Sequence, residues 1–588
     1  MRKRLLFFLS LLIVALALAG CNPSEPPPSP EAAPKIFKWI SSGEDNSINP
    51  HDCNAAPNYE IVDFIQVALY QIVPAESRDK SYYVPALAED YPVAEDDYVW
   101  TIKVNPEAKW ANGEPIDANT FIYSWKMGLD PDLAWNSTSS IANQYILVKN
   151  GLEYYQQKGT DKDGNPNPAV DWEDVGLKAL DDYTLEITTA QKYTEQEVIR
   201  HFAVRSTSPV YEPIYEECMN ADRTGNSYGT SLEKFMGCGP FNLTNWVKAS
   251  ERTFEKNENF INAHLIKLDG IEGRVVLDEA TRLELFESGD SDYVALGANG
   301  LAKYAEDPSL ISYDQKAIRT IEVNRNNPDK AFLQDPLVRK AIFHAIDRNT
   351  IADLTFTTAA PFFLSYSGVS FADGTLYRQM EEANEWLPAN GGYDPDLAKE
   401  LFDEALEKYN LDKMSLSLHY SEGMDALRTA SEYIQNQLPQ IFGEDKFELK
   451  LQAIQHTAAL ALMRTSNEGP TTEWDMCWSG WHLGAETYEP HKKFAPYRSY
   501  ATNKYSPYSN DFLDDNYEKL LTEEYRFDER KTFDATVEIE KSIILDDITC
   551  IPVIQEKAFV LWSERIVLPV DEYTVGLGFG WRFMDMEE

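Results

Sequence analysis

Segments with the two-residue periodicity of β-strands alternate with capped amphipathic helices along this chain. Residues 98–104 alternate apolar and polar side chains, as half-buried strands do. Asp117 is placed to cap a helix over 118–127, and Asp335 to cap another over 337–347. Alternating strands and helices predict mixed α/β lobes in a chain long enough for about two to four cores. A hairpin, a strand and a helix are predicted over 177–188, 319–324 and 396–408.

The N-terminus has the pattern of a secretory signal. Three basic residues precede an apolar stretch over 5–19, which is shorter than the roughly 20 residues that span a bilayer. Leu18-Ala19-Gly20-Cys21 resembles the lipobox of bacterial lipoproteins, in which the cysteine is acylated. We therefore expect a signal peptide over 1–20, lipid attachment at Cys21 and a proline-rich tether over 21–35. The alternative is an ordinary signal peptide with a chance cysteine.

The charge and the cysteines exclude several classes of function. The net charge is −43, and removal of residues 1–20 takes it near −46, which argues against nucleic-acid binding. The cysteines after Cys21 form no Cys-x-x-Cys pair, so zinc and redox sites have no support. A disulfide between Cys218 and Cys238 is the first choice in an oxidising compartment. These cysteines are Cys53, Cys218, Cys238, Cys477 and Cys550.

Two local motifs imitate catalytic or metal sites. Residues 225–229 fit Gly-x-Ser-x-Gly, but the polar residues before them predict a loop instead of the buried strand that a nucleophile elbow needs. Residues 161–165 begin like a calcium loop, yet Gly164 stands at the fourth position and Trp172 at the twelfth, so a hairpin tip is favoured. We expect no catalytic residues, no metal and no cofactor.

A collinear series of motifs resembles the family 5 extracellular solute-binding proteins of ABC importers, most of all the oligopeptide-binding members. The series includes Pro-Ala-Leu-Ala-Glu-Asp-Tyr, Lys-Trp-Ala-Asn-Gly-Glu-Pro and Val-Arg-Lys-Ala-Ile followed by Ala-Ile-Asp-Arg. The resemblance runs from about residue 36 to 588. The main matching segments are 85–91, 109–118, 175–185, 206–210, 237–241 and 338–348.

The resemblance implies a two-lobed periplasmic-binding-protein clamp, type II-like, with an extra inserted domain. Lobe I would combine 36–73, 207–317 and 549–588. Domain II would be inserted over 74–206, and lobe III would span 318–548. Two crossings, near 318 and 550, would form the hinge.

The resemblance also places a peptide anchor. Counting back from Pro490 puts Glu486 where peptide-binding members have the aspartate that holds the α-ammonium. A carboxylate suits this role because a charge-assisted bond to a desolvated ammonium is strong. Two departures bear on it: glutamate is one methylene longer, and Gly480-Trp481 lies two residues further from Pro490 than in the closest pattern. The alternative is that Glu486 is one surface acid among many.

Aromatic and main-chain groups complete the predicted site. Trp481 and Trp478 would wall side-chain pockets beside Gly480, and core packing is the competing interpretation. Trp135 lies near the position where the resemblance places a pocket aromatic in domain II. Asn54 begins the segment whose backbone would pair with an extended peptide by strand addition.

The sequence therefore predicts a monomeric lipoprotein outside the bacterial membrane that binds an oligopeptide and delivers it to ABC permease subunits. The lipid anchor would attach the protein to the membrane. No enzyme activity is expected. A same-fold receptor for an oligosaccharide, opine or nickel chelate is the alternative. A secreted hydrolase or an adhesin is a further alternative.

Overall fold

Strands and helices alternate through the part of the chain that the structure describes. The structure is a computed structural model and describes residues 33–43, 46–53, 56–135, 138–160, 164–364, 371, 375–481, 491–499, 510–574 and 576–587. The strands are β1 Ile36–Ser41, β2 Tyr70–Pro74, β3 Ser81–Pro85, β4 Val93–Ala94, β5 Val99–Lys103, β6 Leu177–Asp181, β7 Thr184–Thr188, β8 Phe241–Val247, β9 Glu251–Lys256, β10 Gly270–Val275, β11 Tyr293–Ala295, β12 Ile311–Val323, β13 Thr358–Ala359, β14 Met414–Ser421, β15 Phe447–Ile454, β16 Met476–Trp481, β17 Ile551–Trp562, β18 Ile566–Val567 and β19 Asp585–Met586.

The helices lie between these strands and in the C-terminal half. They are α1 Ala56–Ile65, α2 Ala118–Leu129, α3 Ser140–Asn143, α4 Gly151–Gln156, α5 Glu195–His201, α6 Glu212–Glu217, α7 Glu279–Glu287, α8 Ala298–Tyr304, α9 Pro336–Ala345, α10 Arg348–Thr355, α11 Pro395–Tyr409, α12 Asp425–Phe442, α13 His456–Glu468, α14 His491–Phe494, α15 Asp511–Leu520, α16 Glu523–Arg526 and α17 Glu529–Lys541.

The predicted local elements are confirmed. Asp117 accepts a hydrogen bond from the Thr120 amide and caps α2. Asp335 and Asp394 cap α9 and α11 in the same way, each followed by a proline at the first helical position. The predicted hairpin is β6 and β7, and the strand predicted at 319–324 is the end of β12.

Two long strands join the halves of the molecule. β12 and β17 pair antiparallel at the middle of a sheet whose order is β11-β17-β12-β16-β14-β15, with β13 added beside β17. The register shifts between Asp314 and Ile318, which bends the pair there. β14, β15 and β16 are parallel neighbours because α12 and α13 provide the crossovers that parallel strands require.

Two large cores lie at opposite ends of this strand pair. The first gathers buried side chains from 37–271 and 560–586, and the second gathers them from 321–554. The architecture is thus the expected two-lobed α/β clamp with an inserted domain. Trp100 of the insertion and Phe37 of β1 belong to the same core, so the exact boundaries of lobe I, domain II and lobe III stay a prediction.

The expected disulfide between Cys218 and Cys238 is wrong, because the five cysteines after Cys21 are free thiols. The Cys238 thiol is fully buried in the first core and donates to the side-chain oxygen of Gln66 at 2.9 Å. Cys218 instead packs beside a separate small cluster around Tyr215. Burial raises the pKa of the Cys238 thiol to about 12, which disfavours the reactive thiolate.

Candidate functional site

β16 carries the Trp-Ser-Gly-Trp stretch of the predicted site and lies beside the joining strand β12. Trp478 is opposite Ile321, and Gly480 is opposite Arg319. The backbone of Trp481 extends this pairing to Ile318, within the bent part of β12. The predicted residues 478, 480 and 481 are therefore held by the strand that leads from one lobe into the other.

Trp478 is packed in a core and also lines a cavity, the two interpretations that the sequence left open. Its side chain is 2% exposed and packs in the second core, and its indole nitrogen donates to the Ser431 hydroxyl at 2.7 Å. The same side chain also lines a cavity, so packing and a wall role coexist. Contact of Trp478 with a ligand stays a prediction.

Gly480 is closely approached by a side chain that the sequence had not singled out. A Cβ at this position would lie 2.9 Å from a guanidinium nitrogen of Arg319 and 3.1 Å from the Ile318 carbonyl oxygen. Arg319 is nearly buried and donates through Nε to Glu556 at 2.8 Å. Arg319 lies in an alternating strand pattern, and nothing in that pattern marks it as a site residue.

The cavity beside Trp478, called here the Trp478 cavity, has a volume of about 280 Å³. Its buried Ser479 hydroxyl has no hydrogen-bond partner among the described residues, and Ser421 contacts the His456 ring nitrogen at 3.1 Å. Apolar walls with a few polar groups suit an apolar or aromatic side chain. The walls are formed by Arg319, Ser421, Met424, Leu427, His456, Ala459, Leu460, Trp478, Ser479 and Gly480.

A second cavity, called here the arginine cavity, has a volume of about 440 Å³ and lies between the first lobe and the insertion. Arg200, Arg205 and Arg582 line it, together with Asp63. Arg205 makes a two-pronged ion pair with Asp63, with nitrogen–oxygen distances of 2.5 and 2.8 Å. The cavity also borders Cys53, directly before the predicted peptide-pairing residue Asn54.

The sequence did not identify this cavity. Its arginines come from α5, from the segment before the Ser-Thr-Ser-Pro motif and from the C-terminal tail. The only local signal was that Arg205 directly precedes that motif. Burial lowers the pKa of Arg582, and Asp63 and Arg205 act on it in opposite directions; an arginine nevertheless stays charged in proteins.

Trp135 is not among the residues that line either cavity. Its indole nitrogen donates to the Tyr215 hydroxyl at 3.2 Å, and its ring packs against the small cluster around Tyr215 and Tyr228. His51 also contacts the Tyr215 hydroxyl, at 3.3 Å. The predicted pocket role of Trp135 stays a prediction.

Arg526 connects the insertion with the second lobe. Arg526 at the end of α16 donates to Glu197 of α5 at 2.8 Å, and both side chains are largely buried. The Arg526 guanidinium also lies 4.8 Å from the ring centroid of Tyr193. Because Glu197 also accepts from Thr194 and completes the capping box of α5, the contact is made to a rigid helix start.

Three predicted residues lie outside the described part of the chain: Cys21, Asn54 and Glu486. Of Trp481 only the backbone position is described. The predicted lipid attachment, peptide pairing and ammonium anchor are therefore not located by the structure.

The Gly-x-Ser-x-Gly motif lies in a loop, as predicted, while residues 161–163 of the other motif lie outside the described part of the chain. Ser227 lies in a loop, donates to the Cys218 carbonyl and accepts from Lys234 at 3.1 Å. Within the described ranges, no group of three or more His, Cys, Asp or Glu side chains is arranged to hold a metal ion. No helix in those ranges is both long and apolar enough to cross a membrane.

Comparison with known proteins gives one family and several relatives. Residues 82–505 match the model of the bacterial extracellular solute-binding proteins, family 5 Middle. The dipeptide-binding protein DppE of Bacillus subtilis is 28% identical over 366 residues, 61% of each chain. A dipeptide-binding protein of Lactococcus lactis is 25% identical over 435 residues, 72% of each chain. The chain thus spans somewhat under two thirds of the length of DppE.

Solved structures share the fold over nearly the whole chain. OppA of Listeria monocytogenes bound to peptide superposes with a TM-score of 0.63 at 23% identity, covering 95% of this chain and 100% of that one. The murein tripeptide-binding protein MppA in an open form gives a TM-score of 0.70 at 18% identity, covering 94% and 98%. At these identities the structures establish the fold alone, while the family match covers most of the sequence. This chain belongs to the bacterial extracellular solute-binding proteins of family 5.

Proposed function

We propose that this protein is the substrate-binding component of an ABC importer and captures oligopeptides by closure of its two lobes. The observation that carries the proposal is a clamp whose two lobes are joined by β12 and β17, with a cavity on each side of that joint. DppE is named as a dipeptide-binding protein, and the Listeria monocytogenes OppA structure is of a form bound to peptide, which supports a peptide ligand.

Closure would occur by bending of the two joining strands. The register shift after Asp314 is a place where the pair can bend without breaking either core. Arg526 and Glu197 would then hold the insertion against the second lobe. Ligand drives this change only if it binds the closed form more tightly than the open form.

The peptide would be read mainly through its backbone. In this proposal the segment from Asn54 pairs with the extended peptide, and Glu486 holds its α-ammonium. Trp478 and Trp481 would wall a pocket for an apolar side chain. Main-chain pairing tolerates many sequences, so pocket size and charge would set the preference.

Delivery would take place at the outer face of the membrane. Acylation of Cys21 and the proline-rich segment after it would tether the folded part close to permease subunits. We propose that the protein acts there as a monomer and performs no bond-making or bond-breaking step.

Native mass spectrometry of the folded chain from Ile36, purified without refolding, tests the proposal. Co-purified adducts with peptide masses, lost on mild unfolding, are the expected result. Isothermal titration with dipeptides to pentapeptides should then give binding that falls at least about tenfold in Glu486→Gln. Glu473→Gln is the matched control, because Glu473 is exposed and lies on none of the cavity walls. Binding of no peptide at any length would refute the proposal.

A receptor for a non-peptide solute is the second candidate. A relative from Escherichia coli, 22% identical over 442 residues and 72% of this chain, is named as a probable deoxycholate-binding periplasmic protein. That name shows that relatives of this chain differ in their stated ligand. A single non-peptide adduct in the same mass spectrum, unaffected by Glu486→Gln, would select this candidate.

A further inference from the structure

The Trp478 cavity lies where the direction of the strand connections reverses in the second lobe. β14, β15 and β16 are parallel, and β14 lies between the other two. α12 leads from β14 to β15 on one side, and α13 then leads back past β14 to β16 on the other side. The two helices cover opposite faces, because Trp478 donates to Ser431 of α12 while Cys477 packs beside Ala459 of α13. In open α/β sheets, ligands bind outside the carboxyl ends of the strands at such a reversal.

Two helices begin at the wall of this cavity. Met424 directly precedes α12 and His456 is the first residue of α13, and both residues line the cavity. The residues before the two helices, Met424 and Gln455, provide no side-chain cap. The first amides of a helix need hydrogen-bond acceptors, and the helix dipole places partial positive charge there. The wall of the cavity therefore carries hydrogen-bond donors and positive potential from two long helices.

A buried hydroxyl on the cavity wall has no partner. Ser479 of β16 is 5% exposed and lines the cavity, yet its hydroxyl makes no hydrogen bond with any residue that the structure describes. An unpaired buried hydroxyl destabilises the fold unless a ligand pairs with it. Ser421 at the end of β14 is buried as well, but it contacts the His456 ring nitrogen at 3.1 Å. Ser479 is therefore the group of this cavity that a polar ligand atom would satisfy.

Arg319 brings a positive charge to the same wall. Its Nε donates to Glu556 of β17 at 2.8 Å, so this ion pair connects the two joining strands. Its two terminal nitrogens make no hydrogen bond with the described residues, and one of them lies 2.9 Å from the position of a Cβ at Gly480. Because Arg319 lies on β12, the cavity is adjacent to the joint around which the lobes would close on a peptide.

The remaining walls are apolar and suit the stem of a side chain. They are formed by Met424, Leu427, Ala459, Leu460 and the ring of Trp478. The volume of about 280 Å³ is below the roughly 300–1,000 Å³ of pockets that enclose a whole small ligand. The cavity is therefore matched to one side chain, with an apolar stem and a hydrogen-bond acceptor at its end.

We propose that the Trp478 cavity binds a glutamate side chain of the captured peptide. The Ser479 hydroxyl, the terminal nitrogens of Arg319 and the first amides of α12 and α13 would donate to its carboxylate, and the apolar walls would contact its methylene groups. The overall charge of −43 repels an anion, so these local donors are what the preference depends on. The inference rests on the proposed function and narrows its pocket from an apolar side chain to one with an apolar stem and a charged end.

Titration calorimetry with a matched peptide series tests this preference. A host peptide of alanines carries Glu, Gln or Leu at each position in turn, with a free or an amidated C-terminus. At one position Glu should bind at least about tenfold more tightly than Gln or Leu, whether or not the C-terminus is amidated.

Three results would overturn the inference. Tightest binding of Leu, or equal binding of Glu and Gln at every position, would do so and leave the apolar pocket of the proposed function intact. A preference for the free C-terminus alone would assign the donors to the terminal carboxylate instead of a side chain. Binding of no peptide would overturn both the inference and the proposed function.

Arg319→Gln then locates the preference. The ratio of Glu to Gln affinity should fall to under about twofold, because the carboxylate loses its charged donor. A general loss of affinity from the broken pair with Glu556 cancels in this ratio. Arg78→Gln is the matched control, since Arg78 pairs with Asp571 on the exposed surface and lies outside the cavity. A ratio that is the same in Arg319→Gln as in the unchanged protein would contradict the assignment.

Ser479→Ala keeps the test decisive if Arg319→Gln does not fold. Because this change removes a buried unpaired hydroxyl, we expect the melting temperature of the unliganded protein to stay equal or rise. The ratio of Glu to Gln affinity should nevertheless fall at least about threefold. Ser415→Ala is the matched control, since Ser415 lies near the opposite end of β14, bonds to Glu448 at 3.3 Å and is outside the cavity. An unchanged ratio in Ser479→Ala would refute the assignment of the cavity.

Discussion

The two cores stabilise their lobes by different means. In the first core, aromatic rings from the two ends of the chain interlock. Trp39 of β1 lies edge-on to Trp581 of the C-terminal tail, with ring centroids 6.0 Å apart, and Trp562 of β17 lies 5.6 Å from the same ring. Even the buried Arg252 lies with its guanidinium 4.6 Å from the Trp39 ring centroid.

In the second core, buried charges hold loops to helices. Arg378 and Glu540 form an ion pair in which both side chains are fully buried. Glu540 also accepts from the amides of Phe363 and Leu364, at 2.8 and 2.7 Å, and from the Tyr377 hydroxyl at 2.9 Å. Arg378 donates to the carbonyl of Leu364 at 2.8 Å as well.

This difference predicts how the stability of each lobe responds to substitutions. Aromatic packing is non-directional, so a slightly smaller ring loses only part of the contact. A buried ion pair is directional, and removal of one member leaves the other charged and without its partner. The second lobe should therefore be the more sensitive to single substitutions.

The largest expected effect comes from breaking the buried ion pair. Glu540→Ala should lower the free energy of unfolding by about 3–5 kcal/mol, because Arg378 stays buried without its counter-charge. Replacing both residues by methionine should recover most of that loss. Urea denaturation of the single and double variants measures the difference. A loss under about 1 kcal/mol in Glu540→Ala would contradict the comparison.

The next effect is a pH dependence from Glu322, which is 1% exposed on β12. Burial raises the pKa of Glu322 from 4.5 to about 7, although hydrogen bonds from Thr320 and Tyr497 act in the other direction. The folded state thus binds the proton more tightly, and this stabilisation is complete below pH 4.5 and lost as the pH rises to about 7. The interval corresponds to about 3 kcal/mol.

Glu322→Gln isolates this contribution. The free energy of unfolding of the unchanged protein, relative to the variant, should fall between pH 4.5 and 7. His51 of the first lobe titrates with the opposite sign, since burial lowers its pKa from 6.5 to about 3 and folding then loses stability as the pH falls. Because His51 is present in both proteins, it cancels in the difference. A difference that does not change with pH would refute the effect.

A smaller effect is expected in the aromatic core. Trp39→Phe should lower the free energy of unfolding by about 1–2 kcal/mol, because the smaller ring keeps part of its contact area with Phe64 and Trp581 and loses the rest. Denaturant unfolding followed by fluorescence gives the value. A loss of unfolding free energy as large as that of Glu540→Ala would contradict the difference between the two cores.

The smallest effect on stability is expected between the lobes. Arg526→Gln removes the ion pair with Glu197 and should lower the free energy of unfolding by about 1 kcal/mol or less, because both side chains keep some contact with water and Glu197 keeps its hydrogen bond from Thr194. Peptide affinity should fall about twofold to tenfold if the contact belongs to the closed form. Arg530→Gln is the control, since Arg530 pairs with Glu382 and Asp534 inside the second lobe. Equal affinity losses in both variants would exclude a role specific to the lobe contact.

Local elements were predictable because their signals are local. An aspartate followed by proline fixes where α9 and α11 begin, and the alternation over 98–104 and the hairpin over 177–188 are read from neighbouring residues. The family motifs extended this reading to the clamp. The predicted disulfide failed because the distance between Cys218 and Cys238 in space does not follow from their twenty-residue spacing.

The site was predictable only in part. The Trp-Ser-Gly-Trp stretch was found from its motif, and its strand does lie beside the joint between the lobes. The Arg319 side chain that lies close to Gly480 was not found, because a cross-strand neighbour is set by register. The arginine cavity was missed for the same kind of reason, since its walls come from five separate stretches.

Neighbouring residues and short motifs were enough to predict the elements, the capped helix starts and the family, and the family implies the two-lobed clamp. Which charges meet depends on the packing of distant segments: Arg378 and Glu540 are 162 residues apart, and Arg205 and Arg582 line the same cavity from distant parts of the chain. The physical reason is the distance along the chain over which each kind of interaction acts. Caps and periodicities act over one or two turns, whereas buried charges find their partners only when distant segments have packed together and excluded water.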